Sequence, residues 1–424
     1  MRLHLICLLP LIGCPLAAQH SPRLLWNGRD LSGWHGQRHK SPYALASMEP
    51  DARRALQAAD DESVRAHWRV ENGELVNDGQ GAFLTTDQDF GDAVFTLEYK
   101  TVAGADSGIY LRGCPQVQIW DYTEAGGKWK LGADKGSGGL WNNQQEERFP
   151  PRCYDRPFGE WNHLHVTMVG EVVWVALNGH VAVDGVRMEN FWDRSKPLPK
   201  TGPLQLQTHG GEIRFRNLTV CEIGAREADS LLARRNASAF VSVFDGVTFA
   251  GWRGATSEYE VIDGAIRCKK GKGGRLYTRE TYADFAVRLH FQLPPGGNNG
   301  LAMRYPGEGE PAYTGFELQV LDDSAEKYAN LKPWQFHGSA YGLQAAHRGY
   351  LRDVGEWNYQ EVIMRGSRVT VELNGYRILD ADISTLESQL KDHVGKDNAS
   401  GHFGFAGHSD PVAFRNIRIR RLED

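Results

Sequence analysis

The chain has 424 residues, 41% of them hydrophobic, and carries a formal net charge of −5 with 24% charged residues. That length favours two cores over one. No basic field exists to hold nucleic acid or an anionic membrane surface, which leaves a neutral or weakly charged ligand.

In chain order the first signal is a leader: Arg2, an apolar run over residues 3–12, then small residues. The run is too short to span a bilayer as a mature helix. One reading cleaves after Ala18. The other takes Leu11-Ile12-Gly13-Cys14, which resembles a bacterial lipobox, and makes Cys14 a lipid anchor. Both predict a secreted or periplasmic protein, and no later apolar stretch is long enough for a transmembrane span. Beyond the leader stand Cys114, Cys153, Cys221 and Cys268. They lack CxxC or His spacing for a zinc cluster, while a Cys114–Cys153 disulfide suits an oxidising compartment.

An internal repeat then decides the organisation. LWNGRDLSGW (25–34) is echoed by VFDGVTFAGW (243–252), WRVENGELV by YEVIDGAIR, and SGIYLR (107–112) by NGLAMR (299–304). VQIWD is matched by LQVLD, GEWN recurs at 159–162 and 355–358, LNG recurs, and FRNLTV (215–220) is matched by FRNIRI (414–419). The order is the same in both halves, so the reading is two tandem copies, 23–222 and 241–422, joined by a linker, 223–240. Residues 35–67 are extra in the first copy, and DARRALQAADDESVRAHW within them predicts a surface helix. The linker carries charge and small residues, with some helical character.

Within each copy, segments such as VFTLEY, QVQIW, HLHVTM and LQLQTH alternate apolar and polar residues between Gly, Asn and Asp turns. This predicts an all-β fold: two antiparallel jelly-roll sandwiches, one per copy.

The opening NGRDLSGW, the (E/Q)-x-Q-x-x-D segment, GEWN, LQTHG and the closing FRN together resemble the 3-keto-disaccharide hydrolase family. The resemblance implies a concanavalin A-like jelly roll and exported enzymes of glycan breakdown. It also implies substrates that are glycosides oxidised to a ketone at C3. Such a ketone acidifies the C2 hydrogen, so a base can form an enolate that expels the C1 substituent, with hydration completing a net hydrolysis. That chemistry asks for a base and for a group that steadies the enolate oxygen.

Strand period supplies candidates. In LQLQTH the leucines share one face and Gln205, Gln207 and His209 the other, and His408 repeats the register in the second copy. Gln116 and Gln118, like Glu317 and Gln319, share a polar face, with Asp121 and Asp322 at the strand ends. The catalytic candidates are thus His209, His408, Glu317, Asp322 and Asp121. The substrate-binding candidates are Arg112, Gln118, Trp141 and Gln207 in the first copy, and Arg304, Gln319 and Tyr341 in the second. Trp34, Trp252, Trp161 and Trp357 read as core. Only the second copy has Glu317; the first has Gln116 there, and an amide cannot act as a carboxylate base.

Two rival readings remain at this level. A conventional jelly-roll glycosidase needs two carboxylates at set spacing, and Glu317 with Asp322 is a partial match. A non-catalytic carbohydrate-binding module needs none. Phosphate-loop, GxSxG and HExxH patterns are missing. No cofactor is identified, and a divalent metal stays open because no spacing identifies one.

Overall fold

The structure, a computed structural model, describes residues 21–423. The leader, the Ala18 cleavage point and Cys14 lie outside the described residues. The chain divides between Leu232 and Ala233 into two compact units.

Each unit holds a five-stranded and an eight-stranded antiparallel sheet. In the first unit the five-stranded sheet comprises β1 (Trp34–Gln37), β2 (Phe83–Phe90), β3 (Asp106–Leu111), β4 (Cys114–Trp120) and β5 (Gly202–Leu206), in the order β1-β2-β5-β3-β4. The second unit repeats it with β6 (Trp252–Gly254), β7 (Arg275–Tyr282), β8 (Asn298–Tyr305), β9 (Phe316–Leu321) and β10 (Gly401–Ala406), in the order β6-β7-β10-β8-β9. Two tandem concanavalin-like sandwiches are therefore what the alternation produces.

The period of two explains the layering. Leu84, Ile109, Val117, Ile119 and Leu206 meet Phe95, Leu97, Leu164 and Phe215 of the eight-stranded sheet in the first core. Leu276, Leu301, Leu318, Phe403 and Phe405 do the same opposite Val287, Leu289, Phe291 and Phe414 in the second. Each eight-stranded sheet also joins the beginning of its copy to the end: Arg23–Leu24 pairs with Ile213–Glu222, and Val241–Ser242 with Ala413–Arg421.

The extra segment of the first copy forms α1 (Pro42–Ala46) and α2 (Pro50–His67), and the segment after the first sandwich forms α3 (Ala225–Arg234). Helix α2 is fastened to β1. Asp61 Oδ1 accepts from Gly36 N–H, and Gln57 Nε2 donates to the Gly36 carbonyl. Gly36 is obligatory here, because a Cβ would come 2.1 Å from the Asp60 carbonyl oxygen.

Two expectations are corrected. Cys114 is buried, with its thiol pushed up to about 12 mainly by burial. Cys153 instead lies 3.5 Å from Asp155 Oδ2. All four described cysteines are free thiols, so no Cys114–Cys153 disulfide forms. Trp34 and Trp252 are core, but Trp161 and Trp357 are half-buried under the guanidinium groups of Arg216 and Arg415, 3.9 Å away in each copy. The GEWN and FRN motifs recur together because one supplies the ring and the other the cation.

Candidate functional site

The outward face of the first five-stranded sheet carries a cleft of about 540 Å³. Its floor comes from β3, β4 and the residues following β5. Asp106 opens β3 and is 8% exposed. Its Oδ1 accepts from Gln118 Nε2 at 2.7 Å, and its Oδ2 lies 3.0 Å from His209 Nδ1 and also pairs with Lys128. Three partners thus converge on one nearly buried carboxylate, as a buried charge requires. Gln116 donates its amide to Gln118 Oε1, extending the chain Gln116, Gln118, Asp106, His209. Gln207 lies over Gly108, and its buried Oε1 has no hydrogen-bond partner among the described residues.

The walls are aromatic and basic. Trp120 and Trp141 stand on one side with their rings edge to face. On the other, Arg38 and His39 enter from the insertion. Asp60 of α2 fixes Arg38 by accepting from its backbone N–H at 3.0 Å and its Nε at 2.8 Å. The exposed His39 packs its ring against Phe83, Tyr110, Phe191 and Trp192. Burial, reinforced by His209, moves its titration below the ordinary histidine value.

The equivalent face of the second copy has the same frame with its charges exchanged. Asn298 takes the register of Asp106, and its Oδ1 accepts from Gln319 Nε2 at 2.7 Å. Glu317 takes the register of Gln116, with its Oε1 3.8 Å from His408 Nε2. Each copy therefore places one carboxylate beside its histidine, carried on β3 in the first copy and on β9 in the second.

The sequence profile of the 3-keto-alpha-glucoside-1,2-lyase-like domain matches residues 21–221 and again 239–420. The chain belongs to this family of carbohydrate-active domains. A 3-keto-disaccharide hydrolase of Bacteroides thetaiotaomicron is 28% identical over 268 residues, a match covering 53% of this chain and 92% of that relative. Among solved structures, a candidate glycosyl hydrolase of Parabacteroides distasonis ATCC 8503 is 23% identical with a TM-score of 0.40, covering 44% of this chain and 96% of the other. The Bacillus subtilis carbohydrate-binding module CBM66 is 16% identical with a TM-score of 0.29, covering 40% of this chain and 95% of the module.

Of the expected site residues in these two family domains, His209, Gln118, Gln207 and Trp141 line the first cleft. His408 and Glu317 meet in the second copy, with Gln319 two residues along β9 and Tyr341 donating its backbone N–H to the Glu317 carbonyl at 2.9 Å.

Four expectations do not survive as site residues. Arg112 and Arg304 have φ of 55° and 47°, so each sits in a left-handed turn that swings its side chain off the strand face. Arg112 is then buried against Asp92 at 2.9 Å and the Pro199 carbonyl at 3.0 Å. Arg304 is held by Asp284 at 2.8 Å and the Ala283 carbonyl at 2.8 Å. Both are structural ion pairs. Asp121 closes a turn by accepting from Gly104 N–H, Thr123 N–H and the Thr123 hydroxyl. Asp322 does the same with Gly296, Ser324 N–H and the Ser324 hydroxyl. Burial opposes their charge, but these hydrogen bonds outweigh it and hold both carboxyls below the usual range. Carboxylates so engaged are poor bases.

Asp106, Lys128, Arg38 and His39 were not foreseen. Asp106 immediately precedes the SGIYLR motif, but its counterpart is Asn298, so comparing the copies hides it. His39 and Arg38 lie in the insertion, which has no counterpart. Among the described residues no group of three or more His, Cys, Asp and Glu side chains is arranged to hold a metal ion.

Proposed function

We propose that the chain is an exported enzyme that cleaves 3-keto-glycosides, and that the first copy is its active domain. The observation that carries this reading is the Asp106–His209 pair, 3.0 Å apart at the floor of a cleft walled by tryptophans. The carboxylate favours a proton on Nδ1, which leaves Nε2 as the acceptor facing the cleft. His209 takes the C2 proton, and the C2–H electron pair becomes the enolate C2=C3 bond. Lys128 or Arg38 faces the developing charge on the C3 oxygen. The enolate then re-forms the ketone, C1=C2 forms, and the C1–O bond breaks as the departing alkoxide takes up a proton. Addition of water across C1=C2 gives the net hydrolysis products. Half-buried Trp141, backed edge to face by buried Trp120, offers its ring to the sugar.

A two-carboxylate glycosidase fits less well. Asp106 is the one carboxylate among the residues lining the cleft, and Asp121 and Asp322 are committed to turns.

The test is to incubate the protein with a 3-keto-α-glucoside deuterated at C2 and with its unoxidised parent. Release of aglycone from the keto form alone, with loss of deuterium, is the expected result. His209→Ala should lower turnover by about 10²- to 10⁴-fold. Binding without release would favour a carbohydrate-binding module instead, and turnover of the unoxidised parent a conventional glycosidase. Export is tested separately. Cys14→Ala should move the protein from the membrane to the soluble fraction if Cys14 is the anchor, and an unchanged distribution leaves cleavage after Ala18.

A further inference from the structure

The second copy buries a carboxylate and gives it no donor. Glu317 is 5% exposed, and among the described residues its carboxylate accepts no hydrogen bond. His408 Nε2, at 3.8 Å, is beyond hydrogen-bond distance. Its oxygens are not among the fully buried polar atoms that lack a partner, so the carboxylate opens onto the sheet face, where a ligand's donors can reach it.

The fold makes room for it deliberately. Gly300 on β8 has ordinary strand geometry, so its value is spatial: a Cβ there would come 2.1 Å from Glu317 Oε1. Where the first copy has Tyr110, Gln205 and Gln207, this copy has Ala302, Gly404 and Ala406 at the same registers. The floor beside Glu317 is thus cleared of large side chains. Tyr277 packs against Gly404 on one side, and half-buried Tyr341 adjoins Glu317 on the other.

The two faces therefore present opposite chemistry. The first offers the donors Lys128 and Arg38, while Gln116, in place of Glu317, has its amide engaged by Gln118. A ketone or enolate oxygen only accepts, so it suits donors. Hydroxyls donate, and two neighbouring hydroxyls can satisfy the two oxygens of one carboxylate.

We propose that the second copy is a separate binding site for unoxidised sugar, in which Glu317 accepts hydrogen bonds from two adjacent ring hydroxyls. A glycoside that keeps its C3 hydroxyl would enter, whereas its 3-keto counterpart would set a carbonyl oxygen against the carboxylate. The contrast with a keto substrate rests on the function proposed above; the Glu317 carboxylate without a hydrogen bond does not.

The experiment uses the full chain carrying His209→Ala, so that a keto-glucoside is not consumed. Calorimetric titration with methyl α-D-glucopyranoside should show one site, weakened at least tenfold by Glu317→Gln and by Gly300→Ala in chains whose urea midpoints are retained. The 3-keto derivative should fail to displace the bound glucoside. Absence of glucoside binding, affinity unchanged in both variants, or displacement by the keto form at similar concentration would each overturn the proposal. The C2-deuterium experiment, run on the unsubstituted chain and on His209→Ala, reads the first copy as the difference between them, so the two readings fail separately.

Discussion

His209 Nδ1 stands 3.0 Å from Asp106 Oδ2, and the same carboxylate is held on its other oxygen by Gln118. The carboxylate thus places its negative charge beside Nδ1 of an imidazole whose other edge is open to solvent. Asp106→Asn preserves the shape but offers Nδ1 an amide, which tolerates the wrong tautomer. The expected outcome is a kcat lower by about 10²- to 10⁴-fold with a smaller change in KM, measured on a 3-keto-glucoside.

Helix α2 acts on the cleft through Asp60, which is 3% exposed and binds Arg38 twice. Asp60→Ala should free Arg38 and His39 and remove two charge-assisted hydrogen bonds. We expect KM to rise several-fold and stability to fall by about 1–3 kcal/mol in urea denaturation.

Arg112→Ala tests the opposite role. It strands Asp92, which also accepts from Gly170 N–H. Breaking a buried pair from one side costs roughly 3–5 kcal/mol, and because Asp92 keeps some solvent the loss should be near about 3 kcal/mol. Urea unfolding should show that loss, while KM for the folded fraction stays close to that of the parent.

His337 gives the second copy a pH limit. Its Nε2 faces Gln360 Oε1 at 3.1 Å and its Nδ1 accepts from Leu321 N–H at 3.4 Å, so the buried ring is neutral. Burial, partly opposed by the Gln360 bond, brings its titration from 6.5 to about 3. A depressed folded value means that this stabilisation is complete above the unfolded value and is lost as pH falls from 6.5 towards 3. Stability should drop by roughly 2–3 kcal/mol between pH 6.5 and 4.5. His337→Leu should flatten that part of the profile in urea midpoints.

The second copy should fold alone, and most stably when the fragment begins no later than 233. Its core runs from Phe244 to Ile419, and its first strand pairs with its last. A start at 240 would remove Arg235, which pairs with Glu372, and the Ala233 carbonyl that accepts from Arg288. Fragment 233–424 should unfold in one cooperative transition and melt above fragment 240–424.

The repeat and the alternation of LQLQTH made the sandwich and the placement of Gln207 and His209 readable, because both depend on local order along the chain. Arg112 and Arg304 misled because a left-handed φ at a strand end cancels the period of two. Asp121 and Asp322 misled because an acid at a rim looks free until the backbone amides of the following turn are seen. Asp106 depends on which side chains face each other across paired strands, such as Gln118 from β4, and no period along one strand gives that relation.

The exchange of Asp106 and Gln116 for Asn298 and Glu317 has an evolutionary consequence. Gln118 joins the two positions in the first copy, so Gln116→Glu alone would crowd a second anion against a network already built around Asp106. Asp106→Asn alone would leave Lys128 without its acid and the histidine without its orienting charge. Either order of substitution passes through a chain with two negative charges or none at that floor. Converting one floor into the other therefore takes both substitutions together, because each single change leaves the carboxylate network with one charge too many or too few.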